Sequence, residues 1–147
     1  MQPCQLCDRL KLISEGGFSS VVHEFKNSYL VLGDHQYFKG YCVLILKNHV
    51  RELHDLTPAL QQEYNSELVT AGKAISDTLG PWKMNYSCYG NAVPHLHWHL
   101  FPRYESDPDH LVQPWLHMDE FKSHPGGHAE RLAMIERLRA QLQLGPK

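Results

Sequence analysis

Pro94-His95-Leu96-His97-Trp98-His99-Leu100-Phe101-Pro102 decides how this chain is read. Three imidazoles stand at i, i+2 and i+4, and proline brackets the run on both sides. In an extended strand alternate side chains point to opposite faces, so His95, His97 and His99 would line one face while Leu96, Trp98 and Leu100 enter the core from the other. A helix would turn His97 away from its two neighbours, and the flanking prolines leave little room for one. The stretch is therefore expected to be a strand carrying a row of histidines. The bland account of such a row is a solvated strand or a metal-sticking patch; strict alternation with apolar partners favours a site.

Working outward, Met84 to Tyr89 reads as a neighbouring strand, as do Val21 to Phe25, Tyr29 to Leu32 and Tyr41 to Leu46. All are short β-branched, aromatic or aliphatic runs separated by polar and glycine-containing stretches, and the two between Val21 and Leu32 are close enough to form a hairpin. Between the strands lies one long amphipathic helix. Thr57 caps it, Pro58 suits its first turn, and Leu60, Tyr64, Leu68, Ala71, Ile75 and Leu79 recur at helical spacing until Gly80-Pro81 stops it. After Arg103 the chain is loop-like for about twenty residues, too long for an idle connection, and Trp115, Leu116 and Phe121 give it something to pack. It is expected to close over the site or to meet a partner subunit. Leu132, Ile135, Leu138 and Leu142 then mark a terminal helix. The fold class is α+β: an antiparallel five-stranded sheet, one long helix and a C-terminal helix. Residues 1–105 form the core of a single domain, and residues 106–147 an extension packed on it.

The 147 residues include eleven histidines and carry a net charge of −2, so no broad basic surface is available for a nucleic-acid polymer. No apolar run is long enough for a membrane span, and the N-terminus does not look like a signal peptide, so the cytoplasm is the expected compartment.

A row of imidazoles supports two chemistries. Histidines two apart on a strand can ligate Zn²⁺ in a hydrolytic centre. Alternatively, a neutral imidazole, with an ordinary pKa of about 6.5, attacks phosphorus in line while its neighbours hydrogen-bond the phosphoryl oxygens. Spacing alone does not choose between them.

His95-Leu96-His97-Trp98-His99-Leu100-Phe101 resembles the His-x-His-x-His-x-x signature of the histidine triad (HIT) superfamily, in which x is apolar. The resemblance extends through Gly90-Asn91-Ala92-Val93, Pro102-Arg103, the stretch from Gly40 to His49 (similar to that family's strand ending in Pro-Lys-x-His), and Asp55-Leu56, over roughly residues 4–105. It implies a HIT-like fold of the bacterial type and a nucleotide hydrolase acting at the α-phosphate of dinucleoside polyphosphates or nucleoside phosphoramidates through a covalent nucleotidyl-histidine. The implied substrate is a purine nucleotide, AMP-containing compounds foremost. By the same resemblance His97 is the nucleophile, His99 hydrogen-bonds the α-phosphate or leaving atom, and His95 orients the central ring. Asn91 would contact a phosphate oxygen, Asn85 would brace the same loop, and Asp34 would accept the ribose hydroxyls. Asp34 reads equally well as a turn residue after Gly33, and Asn85 as one that braces the backbone.

Two departures bear on specificity. Ala92 stands where a hydroxyl residue is usual, which leaves leaving-group preference open. His99 stands where the transferase branch has glutamine, which favours water as acceptor. Catalysis needs no cofactor on this reading.

Cys4 and Cys7 have metal-ligand spacing, whereas Cys42 and Cys88 read as small buried thiols within strands. The resemblance implies a closed structural zinc held by Cys4, Cys7, His49 and His95, and a two-fold homodimer with the sheets joined across the interface. Three rivals stand beside the covalent-histidine enzyme: a zinc-dependent hydrolase using the triad as ligands, a non-catalytic nucleotide-binding module, and an interaction protein whose histidine row is incidental.

Overall fold

The computed structural model describes residues 4–121 and 123–145. Five strands form one antiparallel sheet: β1 (Val21–Glu24), β2 (Ser28–Leu32), β3 (Cys42–Leu46), β4 (Lys83–Ser87) and β5 (His97–Arg103), in the order β1-β2-β3-β5-β4. The expected hairpin between the first two strands forms, and the turn joining them is pinned by Glu67, whose carboxylate accepts from the Asn27 backbone N–H at 2.8 Å and from Ser28 Oγ at 2.5 Å.

The long helix, α2 (Pro58–Leu79), has the boundaries its sequence signals predict. Thr57 Oγ1 accepts from the Leu60 N–H at 3.3 Å, satisfying one of the orphan donors of the first turn. Gly80 ends the helix with φ 60°, a left-handed conformation that glycine adopts without a Cβ clash. Tyr64, Leu68, Ala71 and Ile75 are buried, and the Tyr64 hydroxyl donates to the Leu44 carbonyl at 3.0 Å, fastening the helix to the middle of the sheet.

Five features depart from the sequence reading. Gln5–Ser14 forms a helix, α1, that the sequence reading did not foresee; Leu6, Leu10 and Ile13 share its inner face and pack beneath the sheet. Strand β5 begins at His97, so His95 precedes it. The segment after Arg103 contains a 3-10 turn (Pro114–His117) and a short helix, α3 (Met118–Phe121), in which Trp115 and Phe121 pack inward while Leu116 points outward. Cys88 lies just beyond β4 and is half-buried, whereas Cys42 is fully buried in β3. The terminal helix, α4 (His128–Gln143), is present, but its buried residues are Met134, Ile135 and Leu138, and Leu132 faces solvent.

Alternation along the strands divides the core into two layers. Leu30, Leu32, Leu44, Leu46, Leu96 and Leu100 face α2 and α4. Val31, Val43, Ile45 and Phe101 face the other way, toward α1 and α3, on the side that carries the histidines. No helix among the described residues is long and apolar enough to cross a membrane.

Candidate functional site

In the β3–β5 register Ile45 faces His97 and Val43 faces His99, so the two histidines lie on the sheet side opposite α2, with ring centroids 4.7 Å apart. For His97 a backbone partner distinguishes the two ring nitrogens. His97 Nδ1 lies 2.6 Å from the His95 carbonyl oxygen. A carbonyl only accepts, so Nδ1 carries the proton and Nε2 is left with a free lone pair. Burial holds the pKa of His97 below its ordinary value, partly countered by that carbonyl and reinforced by Arg9, so the ring is a neutral base at pH 7.

The same reasoning applied to His95 gives the opposite tautomer. Its Nε2 lies 2.7 Å from the Leu46 carbonyl and must donate, which leaves the Nδ1 lone pair facing Cys4 Sγ at 3.6 Å and Cys7 Sγ at 3.5 Å. His49 Nδ1 approaches Cys7 Sγ to 3.2 Å. The ligand atoms of Cys4, Cys7, His49 and His95 all lie within 4.8 Å of one another. Tetrahedral zinc with bonds of about 2.0–2.3 Å spaces its ligands by roughly 3.5 Å, so the donor set fits a closed site. The expectation that the His95 side chain orients His97 is thereby corrected: its main-chain carbonyl does so, while its ring turns to the cysteines. Among the described residues the triad does not form a metal-holding group of its own.

His99 is enclosed by aromatic rings. Its Nδ1 lies 2.6 Å from the Tyr41 hydroxyl, and Trp115 meets the ring edge-on at a centroid distance of 4.7 Å. Burial first, then the neighbouring His97 and His35, brings its pKa down to about 3. Trp115 is itself held by Nε1 donating to Ser87 Oγ at 2.9 Å.

The remaining expected residues are placed less uniformly. Asp34 lies exposed in the loop after β2 and ion-pairs with Arg9 of α1 at 2.7 Å. Asn91 is exposed in the loop between β4 and β5. Asn85, on β4, accepts from Arg103 Nη1 at 3.4 Å and makes no hydrogen bond to the loop around Asn91. Arg103 is fully buried; it pairs with Asp107 at 3.0 Å and donates to the Val112 carbonyl at 2.6 Å, fixing the loop that delivers Trp115.

Sequence reasoning named Trp115 only as a packing residue of a segment expected to close over the site or meet a partner subunit, and it passed over Arg9 and Tyr41. Tyr41 was within reach of it: the alternation that places Val43 and Ile45 on the histidine side continues back to residue 41. Arg9 arrives from α1, and nothing local in sequence marks its approach; Trp115 arrives from the extension, whose length and apolar residues were the signal for it.

A half-open antiparallel sheet with a row of histidines defines the class. Residues 18–106 match the HIT domain family, and the chain belongs to it. It is 27% identical over 128 residues to "Protein hit" of Bacillus subtilis strain 168, spanning 83% of this chain and 88% of that one. Its fold is similar to a histidine triad protein of Sinorhizobium meliloti 1021 (TM-score 0.77, 20% identity, 96% and 98% of the two chains). It is also similar to a Zn-bound histidine triad family protein of Mycobacterium smegmatis (TM-score 0.68, 20% identity, 96% and 94%).

Proposed function

We propose that the protein is a nucleotidyl hydrolase in which His97 Nε2 attacks the α-phosphorus of a dinucleoside polyphosphate or nucleoside phosphoramidate. The observation that carries this reading is the Nδ1–H bond from His97 to the His95 carbonyl. It leaves Nε2 as the nucleophile, and the His95 carbonyl stabilises the positive charge that develops on the ring as the nitrogen–phosphorus bond forms. The bond from phosphorus to the leaving oxygen or nitrogen breaks, and the departing group takes a proton from water. Neutral His99 serves as a hydrogen-bond donor rather than a charged acid. A second water then attacks phosphorus, breaking the phosphorus–nitrogen bond and releasing the nucleoside monophosphate and free His97. Asp34 accepts ribose hydroxyls, Asn91 contacts a phosphate oxygen, and Asn85 acts indirectly by bracing Arg103.

A purine nucleotide panel of dinucleoside polyphosphates, phosphoramidates and adenylyl sulfate, read by nucleotide release with and without chelator, tests the reading. His97→Ala should bind nucleotide and lose at least 95 of every roughly 100 turnovers, in keeping with the loss of a covalent nucleophile. Turnover surviving that substitution would overturn the assignment; binding without turnover by the unaltered chain would make it a nucleotide-binding module.

Cys4, Cys7, His49 and His95 would hold a structural zinc, as their mutual spacing and the relative named as Zn-bound both support. Held by these residues, zinc would join the start of α1 to the loop after β3 and to His95, and would supply stability rather than chemistry. Chelation is therefore expected to lower Tm while leaving the turnover of still-folded protein in place; immediate loss of turnover without unfolding would instead favour a metallohydrolase.

Two further assignments follow the fold. Strand β1 is covered by α4, whereas β4 is an open edge with Tyr86 exposed beside Val69 of α2, which suits a two-fold homodimer. Light scattering should return twice the chain mass, and a monomer would remove the assignment. The free cysteines suit a reducing cytoplasm.

A further inference from the structure

Tyr41 lies between the end of the loop after β2 and the start of β3, and its ring has almost no freedom. It is 5% exposed, stacks on Phe101 at 4.3 Å and 7°, and meets His35 at 4.6 Å and 21°. Gly33 closes over it so tightly that a Cβ there would fall 2.1 Å from a ring carbon. Held this way, the phenol reaches His99 Nδ1 at 2.6 Å.

Two proton arrangements satisfy that distance. If His99 Nδ1 carried the proton, the phenolic hydrogen would need another acceptor, and among the described residues the Tyr41 oxygen makes no other hydrogen bond. A buried hydroxyl donor without an acceptor is disfavoured. If the phenol donates, both groups are satisfied and the His99 proton sits on Nε2. Burial raises the Tyr41 pKa, so the phenol keeps its proton for this task.

We infer that Tyr41 is a positioning residue for the reaction proposed above: its phenol donates to His99 Nδ1, and thereby fixes His99 as an Nε2–H donor toward the phosphoryl group. Without that donor the ring samples both tautomers, and the one with a lone pair on Nε2 repels a phosphoryl oxygen. The effect falls on the transition state more than on ground-state binding, because the donor is needed most where charge accumulates. This inference rests on the nucleotidyl hydrolase reading for its consequence in catalysis, though not for the tautomer itself.

The test uses the full chain, ¹⁵N-labelled, with the His99 ring resonances assigned through His99→Asn. The unaltered protein should show a protonated Nε2 and an unprotonated Nδ1 on His99, and a protonated Nδ1 would overturn the inference without any variant being made. Tyr41→Phe, which keeps the ring and its stacking, should admit the Nδ1–H tautomer. It should lower kcat about tenfold, the scale of one hydrogen bond, with KM within about twofold. A Tyr41→Phe protein with an unchanged tautomer, or with a changed tautomer and unchanged kcat, would overturn the positioning role. If instead His97→Ala turns over normally, the hydrolase reading fails, and the His99 spectrum still decides the tautomer.

Discussion

The two ring nitrogens of His95 and of His97 have different partners, and backbone carbonyls set which one carries the proton. Leu46 takes the Nε2 proton of His95 and turns Nδ1 to the cysteines; His95 in turn takes the Nδ1 proton of His97 and frees Nε2. Two rings two residues apart thus present opposite nitrogens, which suits the proposed metal ligation by His95 and nucleophilic attack by His97. At Asp34 the pairing with Arg9 engages one carboxylate oxygen, Oδ2, so the proposed contact with ribose hydroxyls would fall to the other. Asp34→Asn should therefore raise KM about tenfold, a charged hydrogen bond's worth, with kcat changed far less. An unchanged KM in steady-state kinetics would return Asp34 to the turn role.

At the scale of elements, β5 and α2 were legible because their signals are local: alternation with apolar partners in one, and a cap, a helical stripe and a terminating glycine in the other. Helix α1 was not. Its inner residues Leu6, Leu10 and Ile13 are interrupted by charges, and so short a helix owes its stability to docking rather than to its own propensity. His95 was read as part of the strand because periodicity does not reveal where the ladder begins; the side chain's partners, two cysteines some ninety positions earlier, come from tertiary structure. In α4 Ile135, Leu138 and Leu142 pack on the core as the helical stripe predicts, while Leu132 is exposed and Met134 is buried in its stead. We propose that residues 106–147 belong to the same cooperative unit as the core, since Met134, Ile135 and Leu138 join the cluster under α2. Leu138→Ala should then cost about 2–5 kcal/mol of global stability in urea unfolding. A separate early transition with the main midpoint unmoved would show the extension to be an independent appendage.

For the whole molecule, the enclosure that keeps the site's rings neutral makes stability depend on pH. His99 is held near 3 and His35 near 4 in the fold, against an ordinary value of 6.5. Below 6.5 the unfolded chain takes up protons that the folded chain refuses, so stability present at neutral pH is lost as pH falls from 6.5 toward 4. His99 contributes up to about 1.4 kcal/mol per pH unit in that window, and His35, more open to solvent, contributes less. Urea midpoints measured between pH 7 and pH 5 should fall; a flat profile would mean that these rings protonate within the native state. The central claim, that His97 Nε2 forms a bond to phosphorus, is tested most directly by the mass of the intact chain after rapid quenching with an adenosine phosphoramidate. The account predicts a transient adduct of one nucleotidyl group, mapped to His97 and absent from His97→Ala. Full turnover with no adduct on the turnover timescale, or an adduct on another residue, would contradict it.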